Sequence, residues 1–155
     1  MKSKLLVALL STLSLATAYA APTTYTTDAN HTFAQFEYNH LGFSNQTSRF
    51  NTVTGTVTID QAAKKGSADI TIDTKSVDTG STVFNSHIQG EDFLSTTQFP
   101  TATFQSNDMI FKGDKPVELK GTLTLKGVSK PVTLKISHFD CKKHPMTGVD
   151  YCGAN

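Results

Sequence analysis

From Phe50 onward the chain alternates strictly. Val53, Gly55, Val57 and Ile59 fall on one side, and Thr52, Thr54, Thr56 and Thr58 on the other. A period of two with one apolar side predicts a strand that buries one face and wets the other. Gly55 in its middle predicts a bend or a close backbone approach. Thr32 to Tyr38 alternates more loosely, with Phe33 on one side and Ala34, Phe36 and Tyr38 on the other. A polar excursion, "HLGFSNQTSRF", follows it. Asp60 to Gly66 reads as a turn, and Ala68, Ile70 and Ile72 begin a third strand. Further strands are predicted at Ala102 and Phe104, at Met109 to Lys112, and along Val117, Leu119, Gly121, Leu123 and Leu125. Val132 to Phe139 is expected to pair back on the last of these across the turn from Lys126 to Pro131.

Between Gly80 and Pro100 the period changes. Val83, Phe84, His87 and Ile88 stand at helical spacing, and Ser81 is placed to cap the first turn. Gly90 and Pro100 limit the segment. One or two helical turns are predicted, turning Phe84, Ile88, Phe93 and Leu94 inward.

About seven strands joined mostly by short turns imply antiparallel pairing. A sheet with one dry face must cover it, so a sandwich or a closed barrel is expected. The ladder that carries Leu123 and Leu134 should point into a shared interior. Periodicity does not distinguish a filled interior from a hollow one.

Composition narrows the biology. Lys2 and Lys4 precede the apolar run "LLVALLSTLSLATA", and Ala18-Tyr19-Ala20 follows it. This is the layout of a secretory signal peptide. Residues 1–20 are therefore expected to be removed, leaving a single domain over 21–155 in the periplasm or outside the cell. The run is too short and too rich in Ser and Thr to span a membrane comfortably, so no stable membrane insertion is expected after cleavage. Without Lys2 and Lys4, twelve basic side chains face thirteen acidic ones, a net charge of −1. Dispersed lysines and no arginine cluster leave no footprint for nucleic acid.

Candidate chemistry is sparse. The sequence has no Gly-x-Ser-x-Gly, no phosphate loop and no Cys-x-x-Cys, so no enzyme is expected. Asp60, Asp69, Asp73 and Asp78 are spread over turns and outer faces, without the single-loop spacing of a calcium site. His40 and His87 could meet at a barrel mouth, but the pattern suits ordinary polar residues equally. The two cysteines, Cys141 and Cys152, read first as a disulfide in an exported chain. With His138 and His144 they also make a possible zinc ligand set, and both readings stand at this point.

Several stretches carry a resemblance: "HTFAQFEYNHLGFS", "SRFNTVTGTVTID", "IDTKSVDTG", "EDFLSTTQFPTATFQS", "LKGTLTLKGVSKPVTL" and "CKKHPM…CGA". Together they cover most of Thr24 to Asn155. "FPTATF" followed by "GTLTLKGVSKPVTL" is the most specific combination. The chain resembles the YceI-like family of exported polyisoprenoid-binding proteins. The resemblance implies an all-β, antiparallel, lipocalin-like barrel with one short helical excursion, and it also implies the Cys141–Cys152 disulfide. The implied ligand is a long polyisoprenoid or similar lipid, in some members a prenylated quinone. No separate cofactor or metal is implied. The expected partners are that lipid and, as an open option, a second copy in a homodimer.

Candidate lining residues are Phe36, Phe50, Val57, Phe84, Ile88, Phe93, Phe104, Leu123 and Leu134. The alternatives are an exported structural or stress-response barrel with a filled core, and a quinone-linked redox protein. Two departures from the family pattern stand out. Phe84-Asn85 and Ile88-Gln89 replace charged residues common around the helical excursion. The pattern also runs on past "CGA" into a last strand pair, so this sequence is expected to be a fragment lacking those strands.

Overall fold

The computed structural model describes residues 21–155. The signal peptide read in residues 1–20 lies outside the described residues. In chain order the strands are β1 (Thr23–Thr26), β2 (Ala34–His40), β3 (Ser44–Phe50), β4 (Val53–Asp60), β5 (Lys65–Asp73) and β6 (Val77–Asp78). One helix follows, α1 (Thr82–Ile88). The remaining strands are β7 (Thr101–Lys112), β8 (Lys115–Leu125), β9 (Val128–Lys135), β10 (Phe139–Lys143) and β11 (Asp150–Ala154).

Every pairing is antiparallel. Six strands form one sheet in the order β1-β4-β5-β7-β8-β9, three form a second in the order β2-β3-β6, and β10 and β11 make a hairpin of their own. The fold is thus all-β and lipocalin-like with one short helix. Among the described residues its hydrogen bonding does not run around a closed circuit, because β9 pairs only with β8 and β2 only with β3.

The alternating patterns sit where their parity puts them. Val53 and Ile59 on β4, Ala68 and Ile72 on β5, and Ala102 and Phe104 on β7 are all buried. Phe104 pairs with Leu123 across β7 and β8 and with Ile70 across β5 and β7. Gly55 lies opposite Ile70. A Cβ there would stand 2.9 Å from the Ile70 Cα and closer still to the Asp69 carbonyl oxygen, at a φ of 151°. The expected close approach is therefore present, and it is backbone against backbone.

Three expectations of strand layout differ. Met109 to Lys112 is not a separate strand but the end of the twelve-residue β7. A register shift between Gln105 and Asp108 breaks its alternation. The Ser106 hydroxyl bridges that break, donating to the Lys120 carbonyl and accepting from the Asp108 N–H. The polar excursion after Tyr38 is a tight turn followed by β3, whose polar run is held by pairing with β2. The strand expected from Val132 to Phe139 ends at Lys135, and Phe139 opens β10.

The helix begins as expected: the Ser81 hydroxyl accepts the Phe84 N–H at 3.3 Å. Ile88 is buried, and Phe84 and Leu94 pack against the same cluster.

Candidate functional site

The apolar interior is divided in two. At the helix end, Phe50, Val53, Ile72, Val77, Ile88 and Ala102 form one buried cluster, with Phe36, Phe84 and Leu94 packed against it. Toward the other end, Ile59, Ala68, Phe104, Met109 and Leu119 form a second, joined by Val57, Leu123 and Phe139. Ile70 packs against both.

The candidate lining residues distribute over these halves. Phe36, Phe50, Phe84 and Ile88 come together in the first, and Val57, Phe104 and Leu123 in the second. Phe93 and Leu134 do not become buried as expected. Phe93 is 44% exposed, on the irregular segment after α1. Leu134 is 45% exposed. Its parity is as predicted, since it pairs with the buried Leu119 and shares its face. However, β9 is an edge strand among the described residues, with β8 as its one ladder neighbour, and Leu134 lies toward its far end, beyond Val132, which packs against the second cluster.

Within the helix-end half the aromatic rings line up. Phe50 stands 5.3 Å from Phe36, Phe36 5.9 Å from Tyr38, and Tyr38 6.2 Å from Phe84. Phe84 lies 6.0 Å from His87, and His87 4.8 Å from Phe93. These are tilted contacts in the range where aromatic pairs attract. The row runs from a buried ring, Phe50, to an exposed one, Phe93. It is built by two rules of local geometry. Period two puts Phe36 and Tyr38 on the same face of β2, and helical spacing puts Phe84 and His87 on one side of α1. His87 belongs to this row and His40 does not.

Ser48 is the polar residue that sequence reasoning missed. It pairs with Phe36 and so shares the interior face. It is 4% exposed, and its Oγ has no hydrogen-bond partner among the described residues. An unpartnered buried hydroxyl costs about 1–3 kcal/mol. The polar run Ser-Asn-Gln-Thr-Ser gave no alternation that would have set Ser48 apart.

Two clefts lie outside this row. One, of about 570 Å³, is on the outer polar face between Thr56, Asp69, Gln105 and Thr122. The other, of about 400 Å³, opens beside the second cluster, where Tyr25, Ile59 and Phe139 meet Gln61, Asp114 and Lys115. The Lys64 ammonium beside Asp114 holds that carboxyl below the usual carboxylate range. None of the nine candidate residues lines either cleft.

The cysteines are bonded to each other. Cys141 and Cys152 are directly opposed on β10 and β11, with an S–S distance of 2.05 Å. Both sulfurs are thereby committed, and the zinc reading loses its thiolates. Asp60, Asp73 and Asp78 serve turns, each accepting a backbone N–H two or three residues ahead. No helix among the described residues is long and apolar enough to cross a membrane.

The comparisons agree with this architecture. The chain is 38% identical over 138 residues to a UPF0312 protein of Shewanella putrefaciens, covering 87% of this chain and 72% of that one. It is 39% identical over 140 residues to Protein YceI of Salmonella arizonae, with the same coverage. A UPF0312 protein of Pseudomonas aeruginosa is 42% identical over 111 residues, and the match spans 56% of its length. Among solved structures, the Campylobacter jejuni YceI protein superposes with a TM-score of 0.59 at 30% identity, covering 81% of this chain and 74% of that one. BcnA of Burkholderia cenocepacia superposes with a TM-score of 0.61 at 26% identity, covering 72% and 68%. The YceI-like domain matches residues 25–153, and the chain belongs to the YceI-like family.

Proposed function

We propose that this is an exported, periplasmic binding protein that sequesters a long-chain polyisoprenoid or similar lipid. The observation that carries the reading is the aromatic row from buried Phe50 to exposed Phe93, with the unpartnered Ser48 hydroxyl on its interior face. An apolar interior with few polar groups suits a long hydrocarbon tail. A tail would enter between β2 and α1, where Tyr38 and Phe84 are half-buried. The Ser48 hydroxyl would meet the one polar atom such a ligand carries along its length or at its end.

The mechanism is shielding from water, with no bond made or broken. A tail of about forty carbons at roughly 0.3 kcal/mol per atom gains about 12 kcal/mol, which corresponds to nanomolar affinity.

A specific observation favours a second reading, a structural or stress-response protein with a filled core. Seven of the nine candidate residues pack into the two clusters, and neither described cleft reaches them. Native mass spectrometry with lipid extraction, on protein purified from several hosts, separates the readings. A co-purifying lipid at near-stoichiometric level supports carriage. Its consistent absence, together with no uptake of added polyprenol, leaves the filled core.

A further inference from the structure

The turn between β2 and β3 breaks two rules at once. Phe43 N–H closes it onto the His40 carbonyl at 2.9 Å, and both central residues have positive φ, 54° at Leu41 and 82° at Gly42. A turn with positive φ at both central residues selects Asn, Asp or Gly at the first of them. A leucine in the left-handed region costs roughly 1–2 kcal/mol. The same leucine is 81% exposed and its neighbour Phe43 is 86% exposed. Backbone strain and an apolar surface are thus both spent on presenting two side chains to the outside. Phe33, also partly exposed, differs: the Arg49 guanidinium covers its ring at 4.4 Å.

The tip is held in shape. The Asn39 side chain accepts the Gly42 N–H and donates to Asn45 Oδ1, and Asn45 donates to Glu37 Oε1. Asn39 and Asn45 face each other in the ladder. Leu41 and Phe43 therefore stand on a braced support.

We propose that this tip is a membrane-surface contact, with Leu41 and Phe43 entering the interface of an uncharged lipid bilayer. Three observations choose that occupant. From Tyr38 to Ser48 there is no Asp, Glu, Lys or Arg, so the tip itself offers no salt bridge to a protein, and the carboxylate that braces it, Glu37, lies further down β2. Two side chains bury far less than the roughly 800 Å² per partner that a stable protein interface needs, whereas a bilayer demands no matching shape. Finally, the tip closes the end of β2, the strand that carries Tyr38, and Tyr38 contacts Phe84 on α1. This rests on the lipid-carrier reading for its purpose: a carrier must meet the membrane where its cargo enters or leaves. Binding through two side chains is weak and reversible.

The chain contains no tryptophan, so Phe43→Trp is a single reporter. Phosphatidylcholine vesicles should shift its emission to the blue. Leu41→Asn combined with Phe43→Asn should weaken partitioning into the same vesicles on the order of tenfold or more. The double variant will not fail for want of folding, since Asn-Gly is the preferred dipeptide for this turn. An unshifted Phe43→Trp emission at saturating lipid overturns the proposal, as does wild-type partitioning by the double variant. Vesicle binding that needs the tip, in protein from which no lipid can be extracted, supports the contact while removing the carrier reading.

Discussion

The ring of Tyr38 lies 6.2 Å from the ring of Phe84, and this contact joins the edge strand β2 to the helix α1. Each residue is half-buried. Phe84→Ala should lower stability by about 1–3 kcal/mol, less than a fully buried phenylalanine would. It should also speed ligand release measured by transfer to acceptor vesicles. Phe84→Asp is the stronger perturbation. Melting, lipid content and release all at wild-type values in Phe84→Asp would show that α1 is only a surface segment.

Ser48→Ala removes a hydroxyl that has no partner among the described residues. Thermal melting of lipid-free protein should stay level or rise by up to about 1 kcal/mol. If that hydroxyl meets the ligand, the same change should weaken binding several-fold. A clear fall in lipid-free stability would mean that Ser48 bonds within the protein.

Gly55→Ala places a methyl group against the backbone of β5, where no rotamer change can relieve it. The expected loss is at least about 2 kcal/mol, read as a lower urea midpoint. An unchanged midpoint would mean that β4 and β5 are not so closely apposed.

Cys152→Ala opens the β10–β11 bridge. Closing a loop of this length is worth roughly 2–3 kcal/mol in the chain-entropy account, so melting should fall by a comparable amount. Lipid content should persist, because neither cysteine belongs to either apolar cluster. Two titratable thiols in the oxidised wild-type protein would contradict the bridge outright.

The β6–α1 junction should contribute to acid sensitivity. The Gly80 N–H and then the Asn51 side chain hold the Asp78 carboxyl below the ordinary carboxylate range. A depressed folded pKa stabilises the protein fully above the ordinary aspartate value of about 3.9. That contribution is lost as pH falls through the folded value. Asp78→Asn keeps an acceptor for Gly80 and should flatten the acid limb of the stability curve. An unaltered limb would place the acid sensitivity elsewhere.

Much of this arrangement was legible in advance, and the exceptions share a cause. Phe104 and Leu123 were found by period two because their strands are lined by apolar residues on one face for several turns of the pleat. Gly55 was conspicuous because it stood where a valine was due. Ser81 announced the helix by its place before the change of period. β3 was hidden because Ser44 to Ser48 is polar throughout, and only pairing with β2 makes it a strand. β7 was read as two pieces because the bulge at Ser106 reverses the parity of everything after it. Leu134 was assigned to the right face but not to the right exposure, since parity gives direction and says nothing about what lies opposite. The aromatic row was beyond reach for a similar reason: its links pass between β2, α1 and the segment after it, and no spacing along the chain records such contacts.

Ile70 packs against both apolar clusters, and this bears on cooperativity. Two halves that share one wall respond together only as far as that wall, and the strands through it, transmit the disturbance. Opening at the helix end exposes Phe36, Phe84 and Leu94 but leaves Met109, Leu119 and their neighbours in contact. The free energy of that local opening is smaller than that of complete unfolding. Amide exchange should then report two levels of protection, lower around α1 and higher along the middle of β7 and β8, and a guest could come and go without the molecule ever melting.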